Sequence, residues 1–263
     1  MERRKGSTVQ TKWLSIALLA GWAGPAWALV VTPARTEIRL APGARTRVEL
    51  TATNDDKVKV QVDVSKKDWF IPEANKAWTV GRWLDVRGPA RFHLKPGKSR
   101  KVQVDVKCPK DMSGEVVAMV SFLYQTTPPS MVTPMISVSM YLIVAGTEKM
   151  EGRIKDLIVR KRNDQVNIAA VVKATGNVHL RPRGRFVVLD AQGVERGQVI
   201  IPEGQPTYPG TEIPYYGSLP ANVKLSSGPY TVRADMSYGD FKVQANRDFT
   251  VLPDGQIQMG PIK

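Results

Sequence analysis

Two histidines, His93 and His179, and one cysteine, Cys108, are the whole supply of imidazole and thiol in 263 residues. Acid–base catalysis by imidazole would have to run through one of those two histidines. One Cys and two His cannot complete a Cys/His zinc site, and a lone Cys cannot close an intramolecular disulfide. His93 lies between Phe92 and Leu94, so strand alternation turns it to the opposite face from both, toward solvent. His179 follows Gly176-Asn177-Val178, a turn entering a strand, and reads as a hydrogen-bonded turn residue. There is no Gly-x-Ser-x-Gly elbow, no Gly-rich phosphate loop ending in Gly-Lys-Ser/Thr and no His-Glu-x-x-His. The carboxylates are scattered over polar strand faces, with no spacing that pairs two of them for glycoside chemistry. The expectation is a binder and not an enzyme, with no cofactor and no metal.

The elements that must position a binding surface begin after an address. Arg3, Arg4, Lys5 and Lys12 precede an uncharged apolar run at 13–24, and Ala26-Trp27-Ala28 fits the small-x-small pattern read by a signal peptidase. The run is too short for a spanning helix, which needs about 20 residues, and Pro25 ends it. Residues 1–28 are therefore expected to be a cleaved signal peptide, leaving 235 residues of charge +11 out of +14. No second long apolar run follows, so no transmembrane segment is expected in the mature chain. An exported chain rarely meets nucleic acid, and no nucleic-acid module is present. The basic balance points instead to anionic envelope polymers, lipid head groups or an acidic protein partner.

Period-two alternation recurs along the rest of the chain. It marks strands at 47–52, 57–64 and 101–106; 115–124 and 135–144 are longer and more apolar, as expected for central strands; and the pattern resumes at 154–159, 165–172, 184–189, 198–201, 230–236 and 241–251. Pro42-Gly43, Pro96-Gly97, Gln192-Gly193 and similar pairs supply the turns. Many short strands at this spacing predict an all-β chain of antiparallel β-sandwiches. A polar stretch at 146–149 divides it into units at 29–147 and 148–252, and Pro253, Gly255, Gly260 and Pro261 predict a flexible tail at 253–263. Trp69 and Trp83 are expected in the core, Trp78 in contact with solvent, and Cys108 as a small buried hydrophobe.

The order of features resembles the periplasmic pilus-assembly chaperones. A first strand at 30–40 carries Arg35-Thr36. Thr51-Ala52-Thr53-Asn54 ends the next, and a further strand ends near Trp69. Phe92-x-Leu94-x-Pro96-Gly97 leads into Val102 and Val104. Pro109, the strand at 116–124, Pro128-Pro129 and the long alternating strand at 135–144 follow. The resemblance implies two immunoglobulin-like domains in the periplasm and binding of fimbrial, pilin-like or other envelope subunits by strand donation. It assigns the donor positions to Ile136, Val138, Met140 and Leu142, which share one strand face. The same resemblance implies two basic anchors for a subunit carboxylate, and here the chain departs. One position is Glu37, and no Lys occurs in 141–146. Arg35, Lys149 and Arg153 are the basic residues that could take that place. The run Gly176-Asn177-x-His179-Leu180-x-Pro182-x-Gly184 also resembles the second domain of two-domain cell-surface proteins, so an envelope or surface binding module acting through basic faces stands as the alternative.

Overall fold

The computed structural model describes residues 29–126 and 131–262. The expected signal peptide at 1–28 and Pro128-Pro129 lie outside the described residues. Among the described residues seventeen strands account for nearly all regular structure, with one 3-10 turn at Glu73–Asn75 and one four-residue α-helix, α1 (Val80–Trp83). The all-β reading holds.

The first unit packs two sheets face to face. One has the order β1 (Leu29–Thr32), β3 (Arg45–Asn54), β7 (Ser99–Lys107), β5 (Leu84–Val86). The other has the order β2 (Arg35–Leu40), β9 (Met135–Val144), β8 (Glu115–Thr126), β4 (Val60–Phe70), β6 (Arg91–Leu94). The alternation seen in the sequence is the reason. Val102, Val104 and Val106 of β7 face inward, as do Val60, Val62 and Val64 of β4, while the residues between them meet water. Burial of one such aliphatic side chain contributes about 1.5–3 kcal/mol, and side chains of both sheets meet in one core.

The single first strand expected at 30–40 is instead two. β1 pairs antiparallel with β3, and β2 pairs parallel with β9 in the opposite sheet. Pro33 sits at the break. It carries no N–H to continue the ladder with β3, and the chain crosses the edge of the sandwich there.

The second unit has a sheet of order β10 (Gly152–Arg162), β11 (Gln165–Ala174), β14 (Glu212–Ser218). Its partner sheet has the order β13 (Glu195–Ile201), β12 (Arg183–Asp190), β15 (Gly228–Tyr238), β16 (Phe241–Val251), β17 (Ile257–Ile262). A separate core fills the space between them. The tail expected to be flexible is corrected in part. Residues 257–262 form β17 on the outer edge of β16, and Arg247 Nε donates to the Gly260 carbonyl at 2.7 Å. An unsatisfied sheet edge offers the backbone of 257–262 partners that composition alone does not reveal.

Candidate functional site

β9 is built in two halves. β8 pairs with it along the strand, Glu115↔Ile143 to Leu123↔Met135. On the other side β2 covers only Ser139 to Val144. Among the described residues no strand pairs with the outer edge of 135–138. The backbone groups along that edge form a template for an incoming strand.

The side chains correct the donor assignment. Val138, Met140 and Leu142 are fully buried in the core of their own unit, and Ile136 packs against it. One face of a sandwich strand must meet the opposite sheet, and the alternating face is that one. It cannot fill a partner's groove without opening its own core. The exposed apolar surface lies elsewhere. Met135 is 53% exposed on the opposite face, across from the exposed Leu123, and Met131 and Val132 stand exposed just upstream.

The far half of β9 turns its other face to the second unit. Tyr141 is buried there, 4.4 Å from the ring of His179. His179 is itself buried between two carboxylates of the first unit. Its Nδ1 lies 2.7 Å from Oε2 of Glu115, its backbone N–H donates to Oε1 of Glu115 at 2.7 Å, and its Nε2 is 3.6 Å from Glu37. Burial alone would lower the His179 pKa, but the hydrogen bonds and charges of Glu115 and Glu37 outweigh it and raise it. The same contact, led by the hydrogen bond to His179, holds Glu37 below its usual value. Glu115 is fully buried, and both its carboxyl oxygens are met by His179, the pairing that a buried carboxyl requires.

Other residues complete the junction. Arg181, also buried, donates from Nη2 to the Tyr141 hydroxyl at 2.7 Å and from Nη1 to the Gly204 carbonyl at 3.0 Å. Tyr208 of the second unit stacks on Phe70 at 4.5 Å between centroids, and its hydroxyl accepts from Trp69 Nε1 at 3.1 Å. Desolvation, then the Tyr141 hydroxyl, pushes the Tyr208 phenol well up. Asn177 clasps the connection. Its side chain bonds the Thr147 carbonyl and the Lys149 N–H, and its carbonyl accepts from Glu115 N–H. Gly114, at φ +69°, permits this approach, because a Cβ there would lie 2.4 Å from the Asn177 oxygen.

Of the three basic residues expected in the cleft, only Arg35 takes part. It is engaged by Glu203 of the second unit at 2.9 Å and by Glu37 at 3.4 Å. Lys149 meets Asn177 through its backbone and its side chain is exposed, and Arg153 is exposed on β10 opposite Lys173. Glu37 faces His179, and none of these residues is arranged as a pair of free cations for a carboxylate. His93 is exposed on β6, as alternation predicts. His179 is a ligand of the junction and more than a turn residue. Trp83 is in the core, whereas Trp69 is 52% exposed and bonded to Tyr208, and Trp78 packs partly buried against the core. Cys108 is fully buried, and that burial raises its thiol pKa.

Among the described residues no three His, Cys, Asp or Glu side chains gather as a metal site, and no helix is long and apolar enough to cross a membrane. No family model matches the chain, and neither does any curated protein. Several solved structures are similar. The class 5 fimbriae chaperone CfaA is 15% identical, with 89% of this chain and 99% of that one covered and a TM-score of 0.45. The chaperone YadV is 10% identical, with 84% and 99% covered and a TM-score of 0.44. CsuC–CsuE, a chaperone–tip subunit pre-assembly complex from Csu pili of Acinetobacter baumannii, is 11% identical, with 83% and 97% covered and a TM-score of 0.44. Each of these similarities extends over most of both chains.

Proposed function

We propose that the chain is an exported, non-enzymatic, chaperone-like protein of the periplasm. It holds fimbrial or other envelope subunits by edge pairing along the open half of β9. The observation that carries this reading is the unpaired outer edge of 135–138 beside exposed Leu123, Met131, Val132 and Met135. An added strand gains affinity from main-chain hydrogen bonds and specificity from alternate side chains. The apolar residues to be covered are those facing away from the core. The resemblance in the order of motifs supports the class of client. The interdomain cleft, filled by His179, Arg181 and Tyr208, plays a structural part in this mechanism.

The test is co-expression of the chain with candidate envelope subunits, comparing wild type with Met131→Asp/Met135→Asp. Both positions are exposed, so the variant keeps its fold. Loss of co-purification is the expected result. Undiminished complex from the variant would overturn edge pairing at this site.

A further inference from the structure

On the other sheet of the first unit lies a groove of about 480 Å³, lined by Arg45, Arg47, Arg82, Arg87 and Lys107. Its size falls in the range of small-ligand sites, roughly 300–1,000 Å³. Against these five cations the lining sets only two carboxylates, Asp85 and Asp105. Asp105 is already taken. Arg47 donates to it from Nε and Nη2 at 2.6 and 3.2 Å, and Arg87 Nε at 2.7 Å. The hydrogen bonds from these two arginines, Arg47's first, hold the Asp105 carboxyl at about 2, so it remains an anion that fixes both guanidinium planes.

The other end of the groove is different. Arg45 and Lys107 are cross-strand partners on β3 and β7, both exposed. Like charges placed directly opposite each other destabilise a strand pair. Neither makes an ion pair among the described residues, and neither does Arg82, whose guanidinium lies 5.8 Å over the ring of Trp78. Arg45, Arg82 and Lys107 thus line the groove with no ion pair of their own among the described residues, beside two guanidiniums held in place by Asp105, while Asp85 is engaged by Arg87 at 3.4 Å and Lys66 at 3.5 Å. Gly81, with nothing within 4 Å of where a Cβ would stand, leaves the approach open.

A surplus of three positive charges in a small concave site calls for a compact multivalent anion. A phosphate group carries about −1.5 to −2 at neutral pH on three strong acceptor oxygens, and arginine forks match those oxygens bidentately. We propose that this groove binds a phosphate-bearing anion seated between Arg45, Arg82 and Lys107, with Arg47 and Arg87 behind it. The site lies on the sheet opposite β9 and is independent of edge pairing.

The test is calorimetric titration of the purified protein with inorganic pyrophosphate at about 0.15 M salt, where exposed charges are screened beyond about 8 Å. One saturable site is expected. Its affinity should fall at least tenfold in Arg45→Glu/Lys107→Glu and several-fold in the milder Arg82→Gln. Lys95→Glu/Lys98→Glu, an equal charge change on an exposed turn of the same unit, should bind like wild type. Equal loss in that control, or no saturation at this salt, would overturn the proposal. A second arm sediments the protein with phosphatidylglycerol vesicles. Pelleting displaced by pyrophosphate assigns the site to a lipid head group. Pyrophosphate binding without pelleting assigns it to a soluble phosphate. Either supports the site.

Discussion

The two halves of β9 share one alternating pattern and meet opposite surroundings. In 139–144 both edges are paired, one face is core, and the other carries Tyr141 into the domain junction. In 135–138 one edge is open and the outward face ends in exposed Met135. The difference arises where β2 begins, at Arg35 opposite Ser139. A single strand is therefore both an anchor and an unfinished edge. Alternation identifies the core face, while pairing, visible only in three dimensions, identifies the half that remains available.

Substitutions should separate these roles. The largest effect is expected from Val138→Asp/Met140→Asp, since each places an unpaired charge in a full core. Such burial belongs to the exceptional class of substitutions, above about 4 kcal/mol. Thermal melting and soluble yield should show a first unit that no longer folds, and a stable variant would mean these side chains are not core. Glu115→Ala comes next. It removes the buried partner of His179, and breaking a buried pair costs about 3–5 kcal/mol, readable by denaturant unfolding. A loss under about 1 kcal/mol would show that the junction does not depend on this contact. Gly114→Ala forces a side chain against the Asn177 carbonyl at positive φ and should cost about 1–3 kcal/mol.

The junction also has a pH signature. The folded His179 pKa lies above its ordinary 6.5, so its contribution is complete below pH 6.5 and is lost as pH rises through the raised value. The Glu37 pKa lies below its ordinary 4.5, so its contribution holds above pH 4.5 and fades as pH falls through the depressed value. Stability should therefore decline as pH is raised from about 6.5, and His179→Gln should flatten that decline. An unchanged slope in the variant would show that His179 does not set this pH dependence. The smallest effect falls on the open half. Met135→Lys should alter stability by no more than about 0.5 kcal/mol while placing a charge that discourages strand addition. Binding and stability are expected to part company there and to move together at Val138.

The sequence made some of this legible. The strands at 135–144 and 241–251 could be bounded because alternating or apolar residues run through them and turn residues flank them. β14 escaped notice because Pro214 interrupts its pattern, and Pro is admitted there only because β14 is an edge strand. The junction left no trace of its own. Glu115 and His179 are 64 residues apart and belong to different units, and no spacing rule links them. Trp69 misled because aromatic bulk suggests a core position, yet its indole N–H is spent on Tyr208 at the surface. Arg35 was found because its strand was singled out, but its partner Glu203 lies 168 residues away.

If the outer edge of 135–138 receives a partner strand, its amides must become protected when a subunit binds. Amide hydrogen exchange along β9, measured with and without a bound envelope subunit, tests it most directly. Strong protection of 139–144 is expected in both states, with new protection of the outward-facing amides of 135–138 only in the complex. A bound subunit that leaves 135–138 unchanged and protects another surface would contradict it.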